Sequence, residues 1–353
     1  VGSDLHDLRY SKNRSASRHK PFISVIIPAY NEEMVIERCL DSIAGNSYKN
    51  KEIIVVNDGS SDTTTQRVYS WKRRKTNQGI TIRLLRQPNA GKAAAINNRI
   101  HHATGSLLIV LDADSILAAK ALTEVPQYFR SKNIVMAASN VKIMEDGSWF
   151  SLLQKYEYLI SYRLKKSMAA YNMEYIIGGV GTVFRKSLVR RVGGYDTDTM
   201  TEDIDYSLKV LRHGNIKYRL TYAHTVHAYT ESVMTFRELI KQRFRWKYGR
   251  MQTFLKNREL FFNANKRYDK RLTMYQLPYS LWAEIMFSLE PFLIAYVFCI
   301  VVIYQDFSTL FTAYLITSLY MAANVALDDS ESTKSKLRLL PLTFLQYPFF
   351  FIL

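Results

Sequence analysis

The sequence is poor in cysteine, and the two it has, Cys39 and Cys299, fall in a predicted helix and in an apolar run, so no disulfide framework is implied. It has no GxGxxG and no GxxxxGK[ST] after any predicted strand, which removes the main support for dinucleotide binding and for P-loop chemistry. The most informative absence is of positive charge. Residues 272–333 contain no Lys or Arg, although the chain as a whole carries 48 basic against 31 acidic residues and a net charge of +17. A basic excess of that size points first to phosphate-rich partners. Nearly all of it lies before the gap, next to apolar runs, which points instead to a surface lying against anionic lipid, and nucleic acid is not expected as a partner.

Inside the gap, residues 285–304 and 307–327 are predominantly apolar and each is about long enough to cross a bilayer as a helix. A third apolar run, 339–353, reads as a span truncated by the end of the chain. Gln305 and Asp306 between the first two runs carry no positive charge, whereas the connection 328–338 carries Lys334, Lys336 and Arg338. By the positive-inside rule that connection and the basic domain before it face the cytoplasm, with the spans integral to the cytoplasmic (inner) membrane. Residues 1–20 are polar and basic with no apolar core, so they form neither a signal peptide nor a span.

From Phe22 onward the chain alternates. Residues 22–27, 52–56, 81–85 and 107–111 are short β-rich runs; 32–44 and 91–102 carry helical apolar spacing. Strand and helix in turn predict an α/β fold with a mostly parallel central sheet, and such sheets bind ligands at the carboxyl ends of their strands.

Those strand ends carry the acids. Asp112 and Asp114 flank Ala113 directly after a buried run, and two hard oxygen ligands there can hold Mg2+ or Mn2+ against a diphosphate; Asp in a turn or cap is the plain alternative. Asp58, between Asn57 and Gly59, suits either a tight turn or a hydrogen-bond acceptor for a uracil or ribose. Lys92 follows Asn89-Ala90-Gly91 at a helix start, where it is an ordinary surface lysine or a phosphate contact. Thr201-Glu202-Asp203 opens an amphipathic segment and follows Gly178-Gly179-Val180-Gly181 and Gly193-Gly194. It is a helix cap, or it places a general base beside a sugar hydroxyl. Residues 235–256 read as a helix that puts Gln242, Arg245 and Trp246 on one face, suited to a phosphate and a stacked sugar or to a membrane surface.

Taken together, Asp112-Ala113-Asp114, Thr201-Glu202-Asp203 and Gln242-Arg243-Phe244-Arg245-Trp246 resemble the D-x-D, T-E-D and Q-x-x-R-W motifs of the family-two glycosyltransferases, in family order. Within that family the chain looks most similar to the membrane-integrated polysaccharide synthases, the poly-N-acetylglucosamine, cellulose, hyaluronan and chitin synthases. The resemblance runs from about residue 22 to about 260 and implies a GT-A fold at 21–260, an interfacial connection at 261–284 and a membrane region at 285–353. It implies donor contacts at Ala29, Tyr30, Glu32 and Asp58, donor roles for Lys92 and Gly179, and a metal at Asp112 and Asp114. Asp203 becomes the base beside Glu202, and Gln242, Arg245 and Trp246 form the edge of the acceptor and diphosphate site. The implied reaction is inverting and metal-dependent, from a UDP-sugar onto a glycan or glycolipid acceptor, with membrane lipid and accessory membrane subunits as further partners. The first acidic motif departs from paired acids, being Asn57-Asp58. Two other readings stay in view: a transferase adding one sugar to a lipid or lipid-linked acceptor, and a non-catalytic sensor of nucleotide or glycan on the same fold.

Overall fold

The structure, a computed structural model, describes residues 20–75, 79–328 and 331–345. Predicted segment 1–20 and the end of the third apolar run therefore lie, but for Lys20 and residues 339–345, outside the described residues.

The buried runs form an eight-stranded sheet in the order β3-β2-β1-β4-β7-β6-β8-β5. Its first half is built from β1 (Ile23–Ala29), β2 (Lys51–Asp58), β3 (Thr81–Gln87) and β4 (Leu107–Val110), all parallel. Beyond β4, β7 (Thr182–Arg185) runs antiparallel, β6 (Ile134–Ile143) and β8 (Arg219–Thr230) pair in parallel, and the two-residue β5 (Ile116–Leu117) closes the far edge. Strand alternation divides the apolar side chains between two faces. Ile53 and Val55 of β2 join a core with α1 (Ile36–Ala44), α2 (Thr64–Lys75) and α4 (Ala121–Tyr128). Ile54 and Val56 join another with α3 (Lys92–Ile100), α6 (Lys186–Val192) and α7 (Glu202–Arg212). Each fully buried Ile or Val of these strands contributes about 1.5–3 kcal/mol, and that is what fixes the register.

The chain leaves β1 toward β2 and β3, then returns to β4 on the other side of β1. The switch in direction opens a crevice between the carboxyl ends of β1 and β4, where the predicted Glu32 and Asp112 lie. Predicted helix 32–44 begins only at Ile36, because Asn31 adopts a left-handed φ of 57° and residues 32–35 form a turn.

Two further helices complete the wall of the crevice. α5 (Trp149–Ala170) is capped by Ser148, whose hydroxyl accepts from the Ser151 amide, and α8 (Phe236–Lys256) opens with a capping box between Thr235 and Glu238. α8 lies close on the start of α7 through Gly249, where a Cβ would stand 2.6 Å from Thr201 Cγ2. Its far end is tied down by Lys256, whose ammonium reaches Asp205 at 2.7 Å, Asp196 at 2.8 Å and Asp198 at 2.6 Å. Asp205 is fully buried and also accepts from Asn257 Nδ2 at 3.1 Å.

The helix after the domain starts as a π-helical turn, Arg271–Gln276, and continues without a break as α9 (Leu277–Tyr304). At 1.5 Å per residue this 34-residue rod is about 50 Å long, well beyond the roughly 30 Å of a bilayer core. Its first part belongs to the domain: Leu272 and Leu277 sit in the sheet core, and buried Glu284 pairs with Arg250 of α8. The remainder exposes Phe292, Tyr296 and Ile303. α10 (Phe307–Ala326), capped by Asp306, is the second helix long and apolar enough to cross a membrane. After it, Glu331 docks back on the domain through Lys142 of β6 and Lys155 of α5, at 2.8 and 2.9 Å. α11 (Thr333–Leu339) and the 3-10 turn Leu340–Phe344 then lay Leu339 and Leu342 against Tyr156, Leu159 and Val325. The described start of the third apolar run is thus packed on α5 and α10.

Removing the Lys256 ammonium strands the buried Asp205 carboxylate. Lys256→Met is expected to lower stability by about 3 kcal/mol and Lys256→Arg by much less, read as thermal midpoints in detergent. Equal midpoints for parent and Lys256→Met contradict this account of the tie between α7 and α8.

Candidate active site

The residues at the strand ends hold one another in place before they hold anything else. The loops after β1 and β2 are laced together: the Asn31 amide donates to Ser60 Oγ at 3.0 Å, and the Ser61 amide donates to Asn31 Oδ1 at 2.9 Å. The Glu32 amide donates to Thr64 Oγ1 at 2.8 Å. Buried Asp58 accepts on Oδ1 from Gln87 Nε2 at 2.7 Å and the Ala90 amide at 3.0 Å, and on Oδ2 from the Gly91 amide at 2.8 Å. Both oxygens of Asp58 are therefore engaged in shaping the loop that delivers Lys92. Ala29 is buried beneath this lacing, and Tyr30 stands half exposed at its rim.

Lys92, at the first position of α3, spans the crevice. Its Nζ lies 2.6 Å from Asp112 Oδ1 and 3.7 Å from Glu202 Oε1. Gly179 supplies the floor: a Cβ there would stand 3.1 Å from Lys92 Nζ and 3.3 Å from Asp203 Oδ2, so the glycine admits both groups to one spot. D-x-D, T-E-D, Lys92 and Gly179, far apart in the chain, thus share a single locus. The glycine-rich approach has a structural reason as well. Gly194 leaves room for Asn97 of α3, which donates to the Tyr195 carbonyl at 2.7 Å and accepts from the Tyr195 amide at 2.8 Å, tying α3 to the segment before α7.

Charge at this locus is strongly unbalanced. Burial raises the proton affinity of Asp203, and the Glu202 carboxylate beside it raises it further, to about 6. Burial, then Asp112, lift Asp114 above its ordinary value, although Ser115 Oγ donates to it at 2.8 Å. Glu32 is pushed to about 7 by burial and then by Asp114, Asp112 and Glu231. Burial opposes the Lys92 charge, yet Asp112 and Glu202 overcome it and hold the ammonium protonated. One cation facing this many acids leaves a local negative excess, and the hard oxygen donors of Asp112 and Asp114 suit a divalent ion that would offset it. The cluster of Asp196, Asp198 and Asp205 does not: Lys256 already fills it with a cation.

The Q-x-x-R-W residues lie on α8 one to two turns before its contact with Thr201. Gln242 and Trp246 are half-buried, Arg245 is exposed, and Gln242 Oε1 is buried without a hydrogen-bond partner among the described residues. Sequence reasoning passed over three residues here. Arg243 lays its guanidinium over the Trp246 ring, 4.5 Å from the centroid, and pairs with Glu157 of α5. Glu231, at the end of β8, pairs with Arg38 at 2.5 Å and adds to the field on Glu32 and Asp114. Arg243 was within reach of the sequence, as the i−3 neighbour of Trp246. Glu157 and Glu231 carry no local signal.

A mostly parallel sheet with carboxylates at its switch point is the arrangement of a GT-A glycosyltransferase, here followed by two long apolar helices. Residues 20–249 match the model described as glycosyltransferase like family 2, and the chain belongs to that family. It is 33% identical over 296 residues to the poly-beta-1,6-N-acetyl-D-glucosamine synthase of Staphylococcus aureus strain COL, covering 79% of this chain and 68% of that protein. To the synthase of the same name from Staphylococcus epidermidis it is 30% identical over 265 residues, 74% of this chain and 61% of that one. Among solved structures, the mannosyltransferase PcManGT from Pyrobaculum calidifontis, in complex with GDP-Man and Mn2+, superposes with a TM-score of 0.62 over 98% of this chain and 93% of its own, at 21% identity. That likeness establishes the fold.

The raised Asp203 has consequences of opposite sign for stability and for chemistry. Its folded-state proton affinity, about 6, exceeds the ordinary 3.8, so ionised Asp203 weakens the fold above pH 6, and the penalty is relieved as pH falls toward 4. Asp203→Asn is therefore expected to stabilise the protein at pH 7.5 by on the order of 1–2 kcal/mol, with the gain shrinking toward pH 4. Melting curves of parent and variant across that range check it; a variant less stable at pH 7.5 refutes the assignment of strain to this carboxylate.

Proposed function

We propose that this chain is an inverting, metal-dependent polysaccharide synthase that extends a β-linked N-acetylglucosamine glycan from UDP-N-acetylglucosamine at the cytoplasmic face of the membrane. The observation that carries the reading is the meeting of Asp112, Lys92, Glu202 and Asp203 over Gly179. The donor sugar is suggested by the name of the 33%-identical relative. In this reading the donor lies in the crevice between β1 and β4, its nucleoside over Ala29, Tyr30 and Glu32 on the shelf that Asp58 braces.

Mg2+ or Mn2+ bound by Asp112 and Asp114 would neutralise charge on the departing diphosphate. Lys92, a protonated amine at the start of a helix, turns from Asp112 toward a donor phosphate. Asp203 accepts the proton of the acceptor hydroxyl as that oxygen bonds to the anomeric carbon, and the bond from that carbon to the diphosphate oxygen breaks on the opposite face. An α-linked donor so gives a β-linked product and free UDP. Glu202 and burial keep Asp203 basic enough for the task; protonation as pH falls through about 6 turns it off. Trp246 offers an apolar plane to the terminal sugar of the growing glycan, with Gln242 and Arg245 beside it.

Each assignment has its own test. Asp114→Ala and chelation are each expected to abolish UDP release, with Mg2+ or Mn2+ restoring the chelated parent alone; full turnover of the variant in excess chelator ends the metal reading. Trp246→Ala is expected to shorten labelled products severalfold with donor binding nearly unchanged, a loss of about 1 kcal/mol of stacking. A single-sugar product from the parent protein in the same gel favours a non-processive transferase.

A further inference from the structure

α5 places Glu157 where no motif would put a functional acid. Its carboxylate is partly buried and pairs with Arg243, whose own side chain is 9% exposed. Arg243 in turn lies on one face of the Trp246 indole, 4.5 Å from its centroid. Burial raises the proton affinity of Glu157, and Arg243 pulls it back. Arg243 Nε is buried with no hydrogen-bond partner among the described residues, so the plane of the guanidinium is set by Glu157 at one end and by the indole beneath it. An arginine so fixed covers one face of the half-buried Trp246 ring.

We propose that Glu157 and Arg243 are positioning residues for the acceptor, with Glu157 fixing Arg243 and Arg243 clamping one face of Trp246 so that the other receives the sugar. The inference rests on the acceptor role proposed for Trp246. A planar cation suits the task because it stacks flat on the indole while its edge pairs with a carboxylate, and Lys can do only the second. The clamp couples to the membrane region through two neighbours in the same turn of α5. Lys155 pairs with Glu331 beyond the second apolar helix, and Tyr156 packs on Leu339 and Leu342.

The experiment compares parent, Glu157→Gln, Arg243→Lys and the charge-swapped double variant Glu157→Arg with Arg243→Glu, each as full chain in detergent. The donor is UDP-N-acetylglucosamine and the acceptor a β-linked N-acetylglucosamine pentasaccharide. Arg243→Lys is expected to raise the acceptor KM about fivefold and shorten products, with kcat and donor KM within twofold of the parent. Glu157→Gln is expected to do the same more weakly. The double variant restores a buried ion pair and so recovers the thermal midpoint, but it has no cation on the indole and keeps the raised acceptor KM. Recovery of both by the double variant means the pair only supports the fold and overturns the proposal, as does an unchanged acceptor KM in Arg243→Lys. A parent that ignores the pentasaccharide altogether overturns the acceptor reading of Trp246, and this inference with it, whereas a parent that elongates it while all variants match it overturns the clamp alone.

Discussion

Gathering carboxylates at one end of a sheet is expensive, because each added acid raises the free energy of every other in a partly desolvated crevice. Glu32, Asp112, Asp114, Glu202 and Asp203 meet under that constraint, and much of the surrounding structure can be understood as its management. Lys92 is the cation that bridges the D-x-D and T-E-D elements. Its position depends on Asp58, which spends both oxygens on the loop before it, and on Asn97, which ties its helix to the approach of α7. Lys256 and Gly249 then bring α8 against the same helix start. Lys92 offsets only part of the charge of these carboxylates, and the negative excess that remains suits a cation.

The two apolar helices extend this logic toward the membrane. Leu272 and Leu277 pack the start of the long rod into the sheet core and Glu284 ties it to Arg250 of α8, so this end of the rod is part of the catalytic domain. Glu331, drawn well below the usual carboxylate range to about 2 by Lys142 and Lys155 in spite of burial, pins the segment after the second apolar helix to the same domain. α8 lies between these anchors, bonded to α7 through Lys256 and Asp205 and to α9 through Arg250 and Glu284.

Much of this was legible in the residues. The strands at 22–27, 52–56, 81–85 and 107–111 appear within a residue or two of their places; burial on both faces leaves apolar-rich runs at the first, second and fourth, while the third is an edge strand that is only partly buried. Helix 235–256 was equally readable, since Thr235 and Glu238 announce its start. The antiparallel half of the sheet was not, because β7 and β8 pair with strands distant in sequence and their patterns carry no partner information. The same limit hid Glu157, which gains its meaning from Arg243 at 86 residues' separation, and Lys256, which looks like a solvated surface lysine until Asp205 is seen beneath it. Asp58 stands at a strand end as expected, and its turn chemistry is what the structure shows, with both oxygens accepting from Gln87 and from the Ala90 and Gly91 amides.

The account depends on a single displacement at the anomeric carbon driven by one base, Asp203, opposite the leaving diphosphate. The most direct measurement is the anomeric configuration of the first sugar transferred from α-linked UDP-N-acetylglucosamine, read by proton NMR of the isolated product of the purified protein. A β-configured residue is the predicted result; an α-configured residue contradicts in-line displacement and removes Asp203 from the role of base.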